Sequence, residues 1–257
     1  MNLAIGRPML TLAGSALLSW LLVAALLPLL RRGLIDRPNE RSAHRVPTPR
    51  GGGLAFVVVS CLWGGPPLLL ACAPLAFVGF LDDRRDLPVA LRYGVQLATA
   101  VGLLLLTGVP ERPGIAALLL VMLQLVVITA AINFVNFTDG LDGLVASCSA
   151  VLFSVAALSL GAGWLWPLVG ALLGFLVWNW SPARVFMGDV GSTFLGAAFA
   201  GVVLLEPTPA RELALLLVGF PLLGDALVCV LRRLIAGQPV FRAHRLHLFQ
   251  RLHRAGW

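Results

Sequence analysis

The chain has 257 residues, of which 59% are hydrophobic and only 12% charged, a balance that excludes an ordinary water-soluble domain. Its 19 basic residues, all Arg, outnumber 12 acidic ones and leave a net charge of +7. These Arg are parted by long apolar stretches and form no aromatic-interleaved basic surface, which argues against a nucleic-acid partner and for loops that follow the positive-inside rule.

A membrane-spanning helix needs about 20 apolar residues to cross a hydrocarbon core of roughly 30 Å. Nine apolar runs are candidates. The first, Met9 to Leu30, is too long for a signal-peptide core and reads as a retained span. Two short runs follow, Leu54 to Trp63 and Leu68 to Leu81, divided by the turn signal Gly64-Gly65-Pro66-Pro67. They read as thin spans or as a re-entrant hairpin. Longer runs cover Ala90 to Thr107, Ile115 to Ala131, Leu144 to Gly161, Trp164 to Trp180, Thr193 to Leu205 and Leu213 to Leu231, before a polar tail rich in Arg and His. The four cysteines lie singly within apolar runs and read as packing residues. The expectation is an all-α, polytopic helical bundle of about nine spans forming one domain over residues 1–257, with residues 233–257 as a tail.

Alternate loops of such a bundle face the same side. The loops 31–53, 82–92, 132–143, 181–192 and 232–257 hold 16 of the 19 Arg, which makes that side cytoplasmic, with the N-terminus outside and the C-terminus inside. Seven of the eight Asp fall in the same loops. Carboxylates at the ends of apolar runs need a metal, a partner charge or water.

Three groups of acids stand out. In FLDDRRDLP, continued helix would bring Asp82, Asp83 and Asp86 to a common face, where a divalent cation or Arg84 and Arg85 would relieve their repulsion. The plainer reading is a solvated, self-paired helix end. In INFVNFTDGLDGL, three-residue steps place Asn133, Asn136, Asp139 and Asp142 down one stripe, an oxygen-rich set suited to Mg²⁺ and substrate phosphate. Polar glue between helices is the alternative. In MGDVGS, Asp189 lies between glycines at the start of an apolar run, where backbone N–H groups can receive phosphate. Arg and His donors in RPNERSAHRVPTPRGGG and in the tail FRAHRLHLFQRLHRAGW suit a diphosphate or nucleotide, or anchor the chain to anionic headgroups. Together these features point to a phosphate-transfer enzyme that joins a nucleotide-diphosphate substrate to a lipid acceptor.

The motifs PNERSAHRVPTPRGGG, FLDDRRDLP, NFVNFTDGLDGL, FMGDVGS and a His-containing final loop, in that order, resemble the polyprenyl-phosphate N-acetylhexosamine-1-phosphate transferase family. The resemblance implies a bacterial inner-membrane enzyme with its active site on the cytoplasmic face. It would move a sugar 1-phosphate from a UDP-N-acetylhexosamine to polyprenyl (undecaprenyl) phosphate and release UMP. By position it implies Asp82 and Asp83 near the lipid phosphate, Asp189 and Asn136 on Mg²⁺ (Mn²⁺ as a substitute), and Asp189 as the third catalytic acid. Arg50, Asn133, Asp139, Asp142, His244 and His247 would bind substrate, and a homodimer is compatible with the reading. PTPRGGG, Asp225 in FPLLGDALVCVLRR and the tail look more like the branch that primes O-antigen and other surface polysaccharides than the branch using UDP-MurNAc-pentapeptide. The competing readings are a polytopic transporter, which would carry its charges near the midplane, and an inactive scaffold of a polysaccharide assembly complex.

Overall fold

The computed structural model describes residues 2–38, 44, 46–63, 66–108, 114–238 and 248–255. In chain order the elements are α1 (Asn2–Gly33), β1 (Ile35–Asp36), β2 (Thr48–Pro49), α2 (Leu54–Leu62), α3 (Pro67–Arg85), α4 (Val89–Thr107) and α5 (Ile115–Thr138). They continue with α6 (Leu144–Ser159), a 3-10 turn at Gly163–Leu165, α7 (Trp166–Asn179), α8 (Asp189–Leu204), α9 (Pro209–Val218), α10 (Phe220–Ile235) and α11 (Leu248–Arg254). The bundle is nearly all-α. Among the described residues the exception is a short antiparallel ladder pairing Ile35 with Pro49 and Asp36 with Thr48, which the apolar-run reading did not anticipate.

Three helices are long and apolar enough to cross a membrane, Pro8–Gly33, Val89–Thr107 and Ile115–Thr138. A fourth crossing exists if α9 and α10, bent by 84°, count as one. The single span expected over Leu213–Leu231 is therefore corrected to two helices. The break falls at Gly219, where a Cβ would come within 2.6 Å of the Phe199 ring, and Pro221 follows in the first turn of α10. The short run after Gly53 is a nine-residue helix of about 14 Å. In contrast, α3 and α5 run past their apolar stretches into the polar motifs, so that Asp82 and Asp83 lie on the last turn of α3 and Asn133 and Asn136 on the last turns of α5.

Small residues set the closest crossings. On α7, a Cβ at Gly170 would collide with Ser15 Oγ and the Leu12 carbonyl, and one at Gly174 with the Ala16 carbonyl. One turn on, the Trp178 indole donates to the Trp20 carbonyl at 3.2 Å and the two rings stack with centroids 6.0 Å apart. The partners advance together along both chains, so α1 and α7 run parallel. The spacing is the small-xxx-small pattern that lets helices approach backbone to backbone.

The innermost helix is α8, buried at every residue from Val190 to Val202. Gly79 of α3 lies against the Asp189 backbone, and Gly196 of α8 lies against the Ile132 backbone of α5, where a Cβ would meet Cα at 2.6 Å. The outer surface is apolar, with Leu10, Leu17, Phe77, Leu105, Leu119, Leu123, Val126 and Leu158 all exposed. An outer surface with this many exposed large apolar side chains belongs in lipid, and the chain is a membrane protein.

The helices alternate in direction. Helices α3, α5 and α7 end, and α2, α4, α6 and α8 begin, at one end of the bundle, because the loops there touch one another: Gly53 N donates to the Met187 carbonyl, Arg92 meets Asp82, Ser192 meets Asn136, and Gly143 N donates to Asn179. That end carries the polar motifs.

Candidate active site

The segment Pro49–Gly53 lies along residues 186–187. Phe186 N donates to the Pro49 carbonyl at 2.8 Å, Gly52 N to the Phe186 carbonyl at 3.0 Å and Gly53 N to the Met187 carbonyl at 2.9 Å. Side chains are excluded here, since a Cβ on Gly53 would sit 2.6 Å from the Gly191 Cα. The triple glycine therefore serves close packing against the MGDVGS motif. It also aims Arg50 at Asp83: Nη2 donates to the Asp83 carbonyl at 2.8 Å and Nε lies 3.3 Å from Oδ1.

The adjacent acids differ in what holds them. Both oxygens of Asp82 are engaged, Oδ1 by the Leu87 N–H at 2.6 Å and Oδ2 by Arg92 Nη1 at 2.8 Å. Asp83 Oδ1 receives Arg50 and, at 3.3 Å, the Asp189 N–H. Asp83 Oδ2 is buried with no protein hydrogen-bond partner, and it faces Gly188, where a Cβ would collide with it. Gly188 has φ +76°, a conformation only glycine adopts without strain at its extended ψ of 171°.

Asp86 does not join them. The helix stops at Arg85, and Asp86 turns left-handed with φ 46°, fully outside and exposed. Pro88 disfavours helical backbone at Leu87, so the continued helix needed for a common face of Asp82, Asp83 and Asp86 is absent.

The acids that do converge disturb one another, and all lie beyond the ends of their apolar runs. Burial first, then the Asp189 carboxylate, pushes Asp83 above the ordinary carboxylate range, against the pull of Arg50. Asp189 is raised by burial and then by Asp82, against Arg50 and Arg92. Burial raises Asp139 to about 8, with Asp189, Asp83 and Asp142 adding in that order. Loops about 50 residues apart in the chain thus share one patch of negative charge.

The stripe expected through residues 133–142 is broken by the end of α5 at Thr138, and Asn133, Asn136 and Asp142 face three different partners. Asn136 Oδ1 accepts from Ser192 Oγ at 2.8 Å, which joins α5 to the first turn of α8 beside Asp189. Asp142 Oδ2 accepts from Ala183 N at 2.9 Å and so ties two loops together. Asn133 is paired with Gln96 of α4. His244 and His247 lie outside the described residues.

Arg92, which holds Asp82, and Asn179 were not singled out in the sequence. Asn179, buried at the end of α7, accepts from Gly143 N at 3.1 Å and donates to the Val185 carbonyl at 3.0 Å, so it fixes both the TDGLDG loop and the approach to MGDVGS. Its signal in the sequence is a lone amide between Trp178 and Trp180 where an apolar run stops.

Among the described residues, no three His, Cys, Asp or Glu side chains form a ready-made metal cage. The donor set nevertheless fits Mg²⁺, which is commonly held by one or two carboxylates together with substrate phosphates and water. Asp189 and Asn136 supply hard oxygen atoms, and the unpartnered Asp83 Oδ2 marks a place where a cationic or proton-bearing group is wanted.

The chain is similar to known proteins over most of its length. The family model described as glycosyl transferase family 4 matches residues 66–206, a stretch that includes the Asp82, Asp139 and Asp189 motifs. A probable undecaprenyl-phosphate N-acetylglucosaminyl 1-phosphate transferase of Bacillus subtilis is 32% identical over 93% of this chain and 76% of that protein. The undecaprenyl-phosphate alpha-N-acetylglucosaminyl 1-phosphate transferase of Escherichia coli K12 is 32% identical over 88% of this chain and 70% of its own length. A decaprenyl-phosphate N-acetylglucosaminephosphotransferase of Mycobacterium tuberculosis is 31% identical over the same shares.

Proposed function

The chain belongs to glycosyl transferase family 4, and on that premise we propose that it transfers an N-acetylhexosamine 1-phosphate from a UDP-sugar to polyprenyl phosphate. The observation that carries this reading is Asp83: a buried carboxylate with one oxygen unpartnered, where the motif loops of α3, α5 and α8 meet. An oxygen of the lipid phosphate forms the new bond to the β-phosphorus of the UDP-sugar, the bridging bond to the α-phosphate breaks, and UMP leaves with that electron pair. Asp83, raised toward neutrality, is suited to take the proton of the incoming lipid phosphate. Arg92 and Asp82 stand beside it on the side of α4, whose exposed face of Leu91, Leu97, Val101 and Leu105 suits a polyprenyl chain. Asp139 and Asp142 shape the nucleotide-sugar side. Asp189 and Asn136 would hold Mg²⁺, which when bound neutralises diphosphate charge.

The Arg content of the loops supports reading the end that carries the polar motifs as cytoplasmic, and the nine-span reading with the N-terminus outside rests on the apolar runs and that Arg content. The surface-polysaccharide branch rests on PTPRGGG, Asp225 in FPLLGDALVCVLRR and the tail. In the test, purified protein in detergent releases UMP from a UDP-N-acetylhexosamine only when both polyprenyl phosphate and Mg²⁺ are present. No release across a panel of such donors would end the enzyme reading in favour of the scaffold.

The cation makes a separate prediction. In the unfolded chain the raised acids titrate near pH 4, so from about pH 5 to 8 the fold binds more protons than the unfolded state and its cation-free stability falls as pH rises. Mg²⁺ competes for the same oxygens and relieves their repulsion. The melting temperature in chelator therefore drops from about pH 6 to about pH 8, and Mg²⁺ raises it more at the higher pH. An equal or larger cation effect at the lower pH would contradict a site built from these acids.

A further inference from the structure

One turn along α4 from Arg92 is Gln96, buried against α5. Its Oε1 accepts from Asn133 Nδ2 at 2.8 Å, and its Nε2 faces Asn133 Oδ1 at 3.4 Å. Asn133 Nδ2 also donates to the Thr129 carbonyl at 2.7 Å, so both hydrogens of that amide are engaged. A reciprocal amide pair within two apolar helices fixes their relative rotation and rise, because a slide or twist breaks hydrogen bonds that lipid cannot replace. Leucines at these positions would hold the helices together with little angular preference.

What lies above the pair gives it a functional bearing. Four residues back on α4, Arg92 holds Asp82 of α3, and three residues on along α5, Asn136 holds Ser192 of α8. Asp82 neighbours Asp189 in turn. Among the described residues, Arg92–Asp82 is the ion pair that links α4 to the acids of α3. The orientation of α4 against α5 therefore decides where Arg92 can reach.

We propose that Gln96 and Asn133 are positioning residues whose amide clamp sets the register of α4 on α5 and so holds Arg92 on Asp82, at the side of the site that receives the lipid phosphate. This rests on the transferase reading above. It replaces direct substrate contact as the role of Asn133.

The test measures both Michaelis constants and the melting temperature of Gln96→Leu and Asn133→Leu in detergent with Mg²⁺. Each variant is expected to keep the parent melting temperature within a few degrees and to lose about tenfold in kcat/KM toward polyprenyl phosphate, the scale of a small misplacement. The KM for the UDP-sugar stays unchanged. Exchanging the pair, Gln96→Asn with Asn133→Gln, is expected to recover most of the loss. The clamp is refuted if the Leu variants match the parent in both constants, if both constants change together, or if activity falls only in step with melting temperature. A parent protein that releases no UMP would instead refute the transferase reading, so the two failures are distinct.

Discussion

Asp83→Asn is expected to lower UMP release by about a thousandfold, the range for loss of a proton-transferring side chain, while leaving the fold intact or firmer. The amide has the shape of the carboxyl and its oxygen can still accept from Arg50 and from the Asp189 N–H. What it lacks is a charge and a basic oxygen at the Oδ2 position. Burial and the neighbouring Asp189 disfavour the ionised carboxylate in the fold, so neutralising it removes an unfavourable interaction above neutral pH. Activity and stability should thus move in opposite directions, as at sites where function holds a strained group in place. Asp86→Asn is the matched control: exposed and outside the cluster, it should change turnover by no more than about twofold. Equal losses in the two variants, or an Asp83→Asn protein that turns over like the parent, would remove Asp83 from the reaction.

Gly174→Val is expected to have the largest effect on stability, about 3 kcal/mol at the upper end of overpacking costs. The first added carbon already overlaps the Ala16 carbonyl and lies 2.8 Å from its carbon. Backbone cannot step aside as a side chain can, so α1 must separate from α7 along the seam that includes Ser15, Gly170 and the Trp20–Trp178 stack. Thermal unfolding in detergent and proteolysis of α1 would register the change. Gly102→Ala on α4 has open space around its Cβ and should be neutral or stabilising through helix propensity, by up to about 1 kcal/mol. If both glycine variants behaved alike, the close α1–α7 crossing would be wrong.

The gathering of Asp83, Asp139 and Asp189 at one end of the bundle was legible because alternation of apolar runs and polar loops constrains which loops can meet. What each acid touches was not. Asp82 and Asp83 are adjacent and chemically alike, and they are told apart by Arg92 and Arg50, which arrive from other elements. Three-residue spacing suggested a single stripe through Asp142, but spacing assumes a helix that continues, and α5 ends at Thr138. Asp86 failed for the same reason. The break at Gly219 was hidden inside an apolar run because hydropathy carries no information about direction, although Gly219 and Pro221 were both there to be read. The triple glycine packs against residues 186–191, a contact between segments far apart in the chain that its own neighbours in sequence do not reveal.

The wholly buried α8 has a consequence for how the protein is made. At about 24 Å it is shorter than a bilayer core, and Gly191, Ser192, Gly196, Ala197, Ala198, Ala200 and Gly201 give it small faces for α3, α5 and their neighbours instead of a surface for lipid. It therefore needs a slot already lined by helices from earlier in the chain, and its contacts join residues far apart in sequence, the kind that form late. The first residue of this keystone is Asp189. Folding and completion of the acidic cluster are thus one event, and a nascent or partly assembled chain, however many helices it has inserted, holds no finished site that could act on a lipid carrier prematurely.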